Sequence, residues 1–117
     1  VRPSPVPEID RAALKARLDR RDDFKLVMAG HDWAFRAKHI PGSVHFATDP
    51  EMLASLGQDD DIVVYCSNAD CIASVGLIKK LVDHGYRRLA HYRGGLIDWE
   101  DAGLPLEGDW AQSGQGA

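Results

Sequence analysis

The stretch Ile62-Val63-Val64-Tyr65-Cys66-Ser67-Asn68-Ala69-Asp70-Cys71-Ile72-Ala73-Ser74 decides the fold. Its first four residues are β-branched or aromatic with no polar alternation, the pattern of a strand covered on both faces. A short polar loop follows, and an amphipathic segment begins at about Ile72, so the order is strand, loop, helix. Both cysteines of the chain fall here. A thiol at the carboxyl end of a strand, beside a helix N-terminus, meets unpaired backbone N–H groups and the positive end of the helix dipole, and both favour a thiolate.

Working outward, the segment from Ile72 to about His84 places Ile72, Val75, Ile78, Leu81 and Val82 on one helical face and stops at Gly85, a suitable C′ residue. Leu89 to Tyr92 reads as a strand, Gly94-Gly95 as a tight turn, and Leu96 to Ala102 as a short helix anchored by Trp99. Upstream, Ile9 to Arg20 is a surface helix capped by Asp10, and Phe24 to Ala29 is a first core strand. Pro41-Gly42 fixes a turn, a short strand is expected over Val44 to Ala47, and Pro50 to Leu56 has the composition of a short helix. Strands alternating with helices give an α/β class, a small parallel sheet with helices on both faces. Ligands of such sheets bind outside the carboxyl ends of the strands, where Cys66 lies.

The 117 residues suit one domain able to bury roughly two-thirds of its unfolded surface, so the fold needs no disulfide staple. The division expected is an extended lead-in over 1–8, with prolines at 3, 5 and 7, a domain over 9–107 and a flexible glycine-containing tail over 108–117. Eighteen acidic residues against fourteen basic ones give a net charge of -4, which argues against a nucleic-acid partner. No apolar run approaches the roughly 18 residues that span a bilayer, so no membrane partner is expected. A cytoplasmic location is the expectation, and because the sequence opens at Val1 a processed N-terminus leaves a periplasmic or secreted one open.

Four segments in order resemble the rhodanese family of single-domain sulfurtransferases. His39-Ile40-Pro41-Gly42-Ser43 is similar to its His-Ile-Pro-Gly-Ala signature, and Val63-Val64-Tyr65-Cys66 to the strand leading to its active-site cysteine. Gly85-Tyr86, and then the run from Tyr92-Arg93-Gly94-Gly95 through Trp99 to Gly103-Leu104-Pro105, resemble its C-terminal pattern. The resemblance covers about Ile9 to Glu107. It implies that Cys66 takes sulfane sulfur from a donor such as thiosulfate, holds it as a persulfide and passes it to a thiol or cyanide-like acceptor, a protein thiol included. The chemistry also has its own logic, since attack on sulfane sulfur needs a thiolate and the terminal persulfide sulfur needs hydrogen-bond donors. Backbone N–H groups of Ser67, Asn68, Ala69, Asp70, Cys71 and Ile72, curled into a nest, would supply that cradle. No cofactor and no metal is called for, and a monomer or weak dimer is expected.

Three features depart from the pattern. The loop is longer than in common members and carries no basic residue, which argues against the arginine-clamped phosphatases of related fold. Asp70 places a negative charge where a thiolate or oxyanion would sit. Met28-Ala29-Gly30 stands where the family usually has Asp and Arg. The loop instead contains Cys71, a possible resolving thiol that would attack a persulfide on Cys66 if the two Cα atoms lie near ~5.5 Å apart. Two rivals follow: a thiol/disulfide redox enzyme using Cys66 and Cys71, and a non-catalytic rhodanese-like binding module. For the rest, simpler roles are expected. His39 should fix the Pro41-Gly42 turn, and His31, His45, His84 and His91 should be surface or satisfied histidines. Trp33, Phe35 and Trp99 belong in the core, and Arg36, Lys38 and Arg93 are the basic residues to examine for donor attraction.

Overall fold

The computed structural model describes residues 6–67 and 72–110. Three parallel strands, β1 (Lys25–Met28), β2 (Ile62–Tyr65) and β3 (Leu89–Tyr92), lie in the order β1-β2-β3. Met28, Tyr65 and Tyr92 are in register, so all three strands end at one level. Helices α1 (Arg11–Asp19), α2 (Asp32–Ala37), α3 (Asp49–Ser55), α4 (Ile72–Asp83) and α5 (Gly95–Asp101) cover both faces, with α2 and α3 in the crossover from β1 to β2 and α4 in that from β2 to β3. The sheet is small, parallel and helix-covered, as the alternating pattern implies.

The strands sort their side chains with period two. Ile62, Val64 and Cys66 join Val27, Ala29, Met52, Ile78 and Leu81 on the face covered by α3 and α4. Val63 and Tyr65 join Leu14, Met28, Tyr92, Leu96 and Trp99 on the face covered by α1 and α5. At its edges the sheet is extended by single bridges, Val27 with Val44 and Glu8 with His91. Val44 exchanges backbone bonds with Leu26 and Met28, at 2.8 and 2.9 Å.

Local chemistry explains most of the ends. The Asp10 carboxylate accepts from Ala13 N at 2.8 Å and starts α1, and Thr48 caps α3. The Ile40 carbonyl accepts from Ser43 N at 3.0 Å across Pro41-Gly42, and Gly42 sits at φ +88°, the left-handed position of a type II turn.

Several expectations need correction. The strand expected over Val44 to Ala47 is one bridge, because only Val44 faces a partner strand. Between Gly30 and Ser43 the chain forms α2, a helix too short for a periodic apolar signal in sequence. Helix α4 buries Ser74, Ile78 and Leu81, while Ile72, Val75 and Val82 stay exposed. Its buried stripe is rotated because Ser74 turns inward to reach His91 on β3. Trp33 is 64% exposed and stacks on His31 instead of entering the core, whereas Trp99 is 3% exposed. His39 does not hold the Pro41-Gly42 turn. It bonds the Phe35 carbonyl at 2.8 Å and stacks on the Phe35 ring, while Ser43 and Tyr65 secure the turn.

Candidate functional site

Cys66 leaves the end of the central strand with its side chain on the α3/α4 face, 2% exposed. Its carbonyl accepts from Leu96 N at 2.8 Å, and that of Ser67 accepts from Ile97 N at 2.9 Å. The first two residues after β2 are thereby stitched to the first turn of α5, so the loop departs from a fixed base. Cys66 is disulfide-bonded in this structure. Asn68, Ala69, Asp70 and Cys71 lie outside the described residues, and so does most of the proposed backbone cradle. Ser67 and Ile72 bracket it, Ser67 on the fixed base and Ile72 at the start of α4.

One glycine beside the sulfur was not singled out from sequence. Gly30 follows Ala29 at the end of β1 with φ +113°, and a Cβ built on it would lie 3.9 Å from Cys66 Sγ. Side chains rarely adopt that backbone angle, so glycine here makes the turn and brings the backbone close to the buried sulfur. Its only signal in sequence is its place at a strand's carboxyl end.

A cleft of about 490 Å3 opens beside Gly30. Ala29, Gly30 and Phe46 form one wall, and Ile72, Ala73 and Leu77 the other. Ala73, Phe46 and Leu77 also pack against the cluster that contains Cys66. At the outer end Lys80 Nζ meets Asp49 Oδ1 at 3.2 Å, with both side chains about half exposed. A larger hollow of about 570 Å3, beside Pro41, Gly42 and Trp99, lies on the opposite face of the sheet.

Behind the loop, two polar groups tie the strands to their surroundings. Tyr65 donates or accepts at Ser43 Oγ, 2.8 Å away, and receives Ile40 N at 3.0 Å. Burial raises its phenol to about 12, against the opposing effect of those bonds. His91 Nε2 lies 3.0 Å from Ser74 Oγ in the first turns of α4. Burial lowers its pKa, Glu8 pulls the other way and Arg93 adds to the lowering.

The basic residues marked for donor attraction are paired on the surface, Arg36 with Asp32, Lys38 with Glu100 and Arg93 with Glu8. None of the three lines the cleft beside Cys66. His45 bonds the Met28 carbonyl at 3.0 Å and His84 the Lys80 carbonyl at 2.8 Å, so both are satisfied by backbone. Among the described residues no cluster of three or more His, Cys, Asp or Glu is placed to hold a metal, and no helix is long and apolar enough to cross a membrane.

Comparison with known proteins agrees with this geometry. The Rhodanese-like domain family matches residues 10–102. A sulfurtransferase of Allochromatium vinosum is 30% identical over 103 residues, covering 86% of this chain and 94% of that protein. An HTH-type transcriptional regulator of Mycobacterium tuberculosis is 32% identical over 106 residues, which are 89% of this chain but only 46% of the regulator. The chain thus spans under half the length of that relative. In structure, a Bacillus halodurans protein superposes with a TM-score of 0.83 at 20% identity, covering 92% of this chain and 80% of its own, a likeness of fold. With its cysteine at the end of the central parallel strand and the family match running across all three strands, this chain belongs to the rhodanese-like domains.

Proposed function

We propose that the domain is a sulfurtransferase that carries sulfane sulfur on Cys66. The observation that supports this most is the placement of Cys66 directly after β2, on a base bonded to α5, with Gly30 close beside its sulfur. With thiosulfate as donor, the Cys66 thiolate attacks the sulfane sulfur, a new S–S bond forms and sulfite leaves with the electron pair of the broken bond. Backbone N–H groups of Ser67 to Ile72 hold the resulting terminal sulfur. An acceptor thiolate then takes that sulfur and returns the Cys66 thiolate.

The disulfide on Cys66 favours a second use of the site. The chain has one other cysteine, Cys71. Its thiolate attacks the inner sulfur of the Cys66 persulfide, forming the Cys66–Cys71 disulfide and releasing hydrosulfide. A dithiol reductant then restores both thiols, becoming oxidised itself. In this role Cys71 resolves the persulfide and protects Cys66 from over-oxidation.

Intact mass spectrometry tests the proposal. After reduction and incubation with thiosulfate, the protein should gain the mass of one sulfur atom, and Cys66→Ser should not. Failure to gain sulfur from thiosulfate, a polysulfide or any other sulfane donor would sink the sulfurtransferase reading. In Cys71→Ser the adduct should persist longer, because the internal route to hydrosulfide is gone. A binding module would show no adduct in any form.

A further inference from the structure

The geometry points to the cleft beside Gly30 as the acceptor site, shaped for a thiol with an apolar body and an α-amino-acid end. Ile72, Gly76 and Lys80, with Ala73 and Leu77, form one face of α4 at spacings of three and four. That face runs from beside Cys66 to the Lys80–Asp49 pair. Ala73 and Lys80 are seven residues apart, or about 10 Å along the helix at 1.5 Å per residue. Between them the cleft is lined by Leu77 and Phe46, and Gly76 adds open space, since a Cβ there would meet nothing within 4 Å.

The chemistry at each end differs. At the inner end the described lining is Ala29, Gly30 and Ala73, with the His31 imidazole beside them. At the outer end the exposed ion pair presents both signs, Lys80 for a carboxylate and Asp49 for an ammonium. An exposed pair of this kind holds itself together weakly, so an incoming zwitterion can exchange partners with it. Free cysteine is too short to reach from one end to the other, because its charged groups lie within a few bonds of its thiol. A longer amino-acid or peptide thiol reaches both.

For its chemistry this inference rests on the sulfur-transfer reading, and for its binding it rests on the cleft alone. The acceptor thiolate attacks the outer sulfur of the Cys66 persulfide. The new S–S bond forms on the acceptor, the Cys66–S bond breaks, and Cys66 leaves as thiolate.

The test uses cysteine and a homologue whose thiol and amino-acid carbon are separated by about six methylenes. Burial is worth up to about fourfold per methylene, so sulfur transfer from loaded protein should be at least about tenfold faster to the long thiol. Lys80→Gln and Asp49→Asn should each reduce that preference by about two- to fivefold, and Gly76→Phe, which fills the cleft, should abolish it. Lys79→Gln, on another face of the same helix and paired with Asp83, should leave the preference as it is. Equal rates for the two thiols, or a preference that survives Gly76→Phe, would overturn the inference. Binding is measured separately by calorimetry, with the S-methylated long homologue and Cys66→Ser protein. Saturable binding weakened by Lys80→Gln supports the cleft, and no binding overturns it. A protein that never loads sulfur but binds this compound refutes the transfer reading and keeps the site.

Discussion

The two faces of the sheet are built from the same three strands but closed in different ways. On the α1/α5 face, aromatic rings and their polar tips interlock: Trp99 donates to the Pro105 carbonyl, Tyr92 to Asp98, and Tyr65 meets Ser43 and Ile40. On the α3/α4 face the residues are mostly aliphatic, with the Tyr86 ring bonded to the Leu56 carbonyl as the exception, and at the carboxyl end Ala29, Gly30 and Ala73 line an open cleft near Cys66. Large rings fill space and fix orientation, whereas small residues let a sulfur and a ligand approach backbone. One face therefore supports the end of β2 as a fixed platform, and the other leaves room for chemistry on it.

The largest effect should come from breaking the closed face. Trp99→Ala removes a side chain that is 3% exposed together with its bond to Pro105, and large-to-small aromatic changes in cores cost about 3–5 kcal/mol. Urea unfolding should show that loss, and a cost below about 1 kcal/mol would mean that Trp99 does not anchor this side. Tyr65→Phe is gentler. The ring stays, but Ile40 N loses the acceptor that Tyr65 supplies and Ser43 Oγ keeps only the Ile40 carbonyl, an expected cost of about 1–3 kcal/mol. Because Tyr65 precedes Cys66, this variant also tests the platform idea. Sulfur loading of Cys66 should slow in it even where the protein is fully folded, and an unchanged loading rate would separate the two faces functionally.

The closed face is also the more legible of the two in sequence. The apolar run of β2, the Pro41-Gly42 turn and Trp99 announce themselves by composition and local backbone preference, and each stands where that chemistry places it. The open face was read less well, for identifiable reasons. Helix α4 contains more apolar residues than it buries, so periodicity alone could not tell that Ser74 turns inward while Ile72 and Val75 turn out. Hydrophobicity places Trp33 in the core, yet it sits on the six-residue α2, with its ring against exposed His31. The partnership of Gly30 with Cys66 and of Asp49 with Lys80 joins residues 36 and 31 positions apart. No local pattern links such residues; only the parallel register does.

The smallest effect distinguishes the faces by pH. His91 is bonded to Ser74, which ties the start of α4 to β3, and its pKa is lowered mainly by burial. The folded protein therefore binds fewer protons than the unfolded chain between that lowered value and the ordinary histidine value of about 6.5. Stability from this group is complete above about pH 6.5 and is lost as pH falls through the folded value. Comparing urea midpoints at about pH 7.5 and about pH 5.5 should show a drop that is smaller in His91→Gln, where the titrating ring is gone but a polar tip remains. Carboxylates titrate in both proteins, so their contribution cancels in the difference. Equal drops would mean that the His91–Ser74 link adds no pH dependence. A larger drop in wild type would make the α4 end of the open face the part of the fold that loosens first in acid, with Cys66 at its edge.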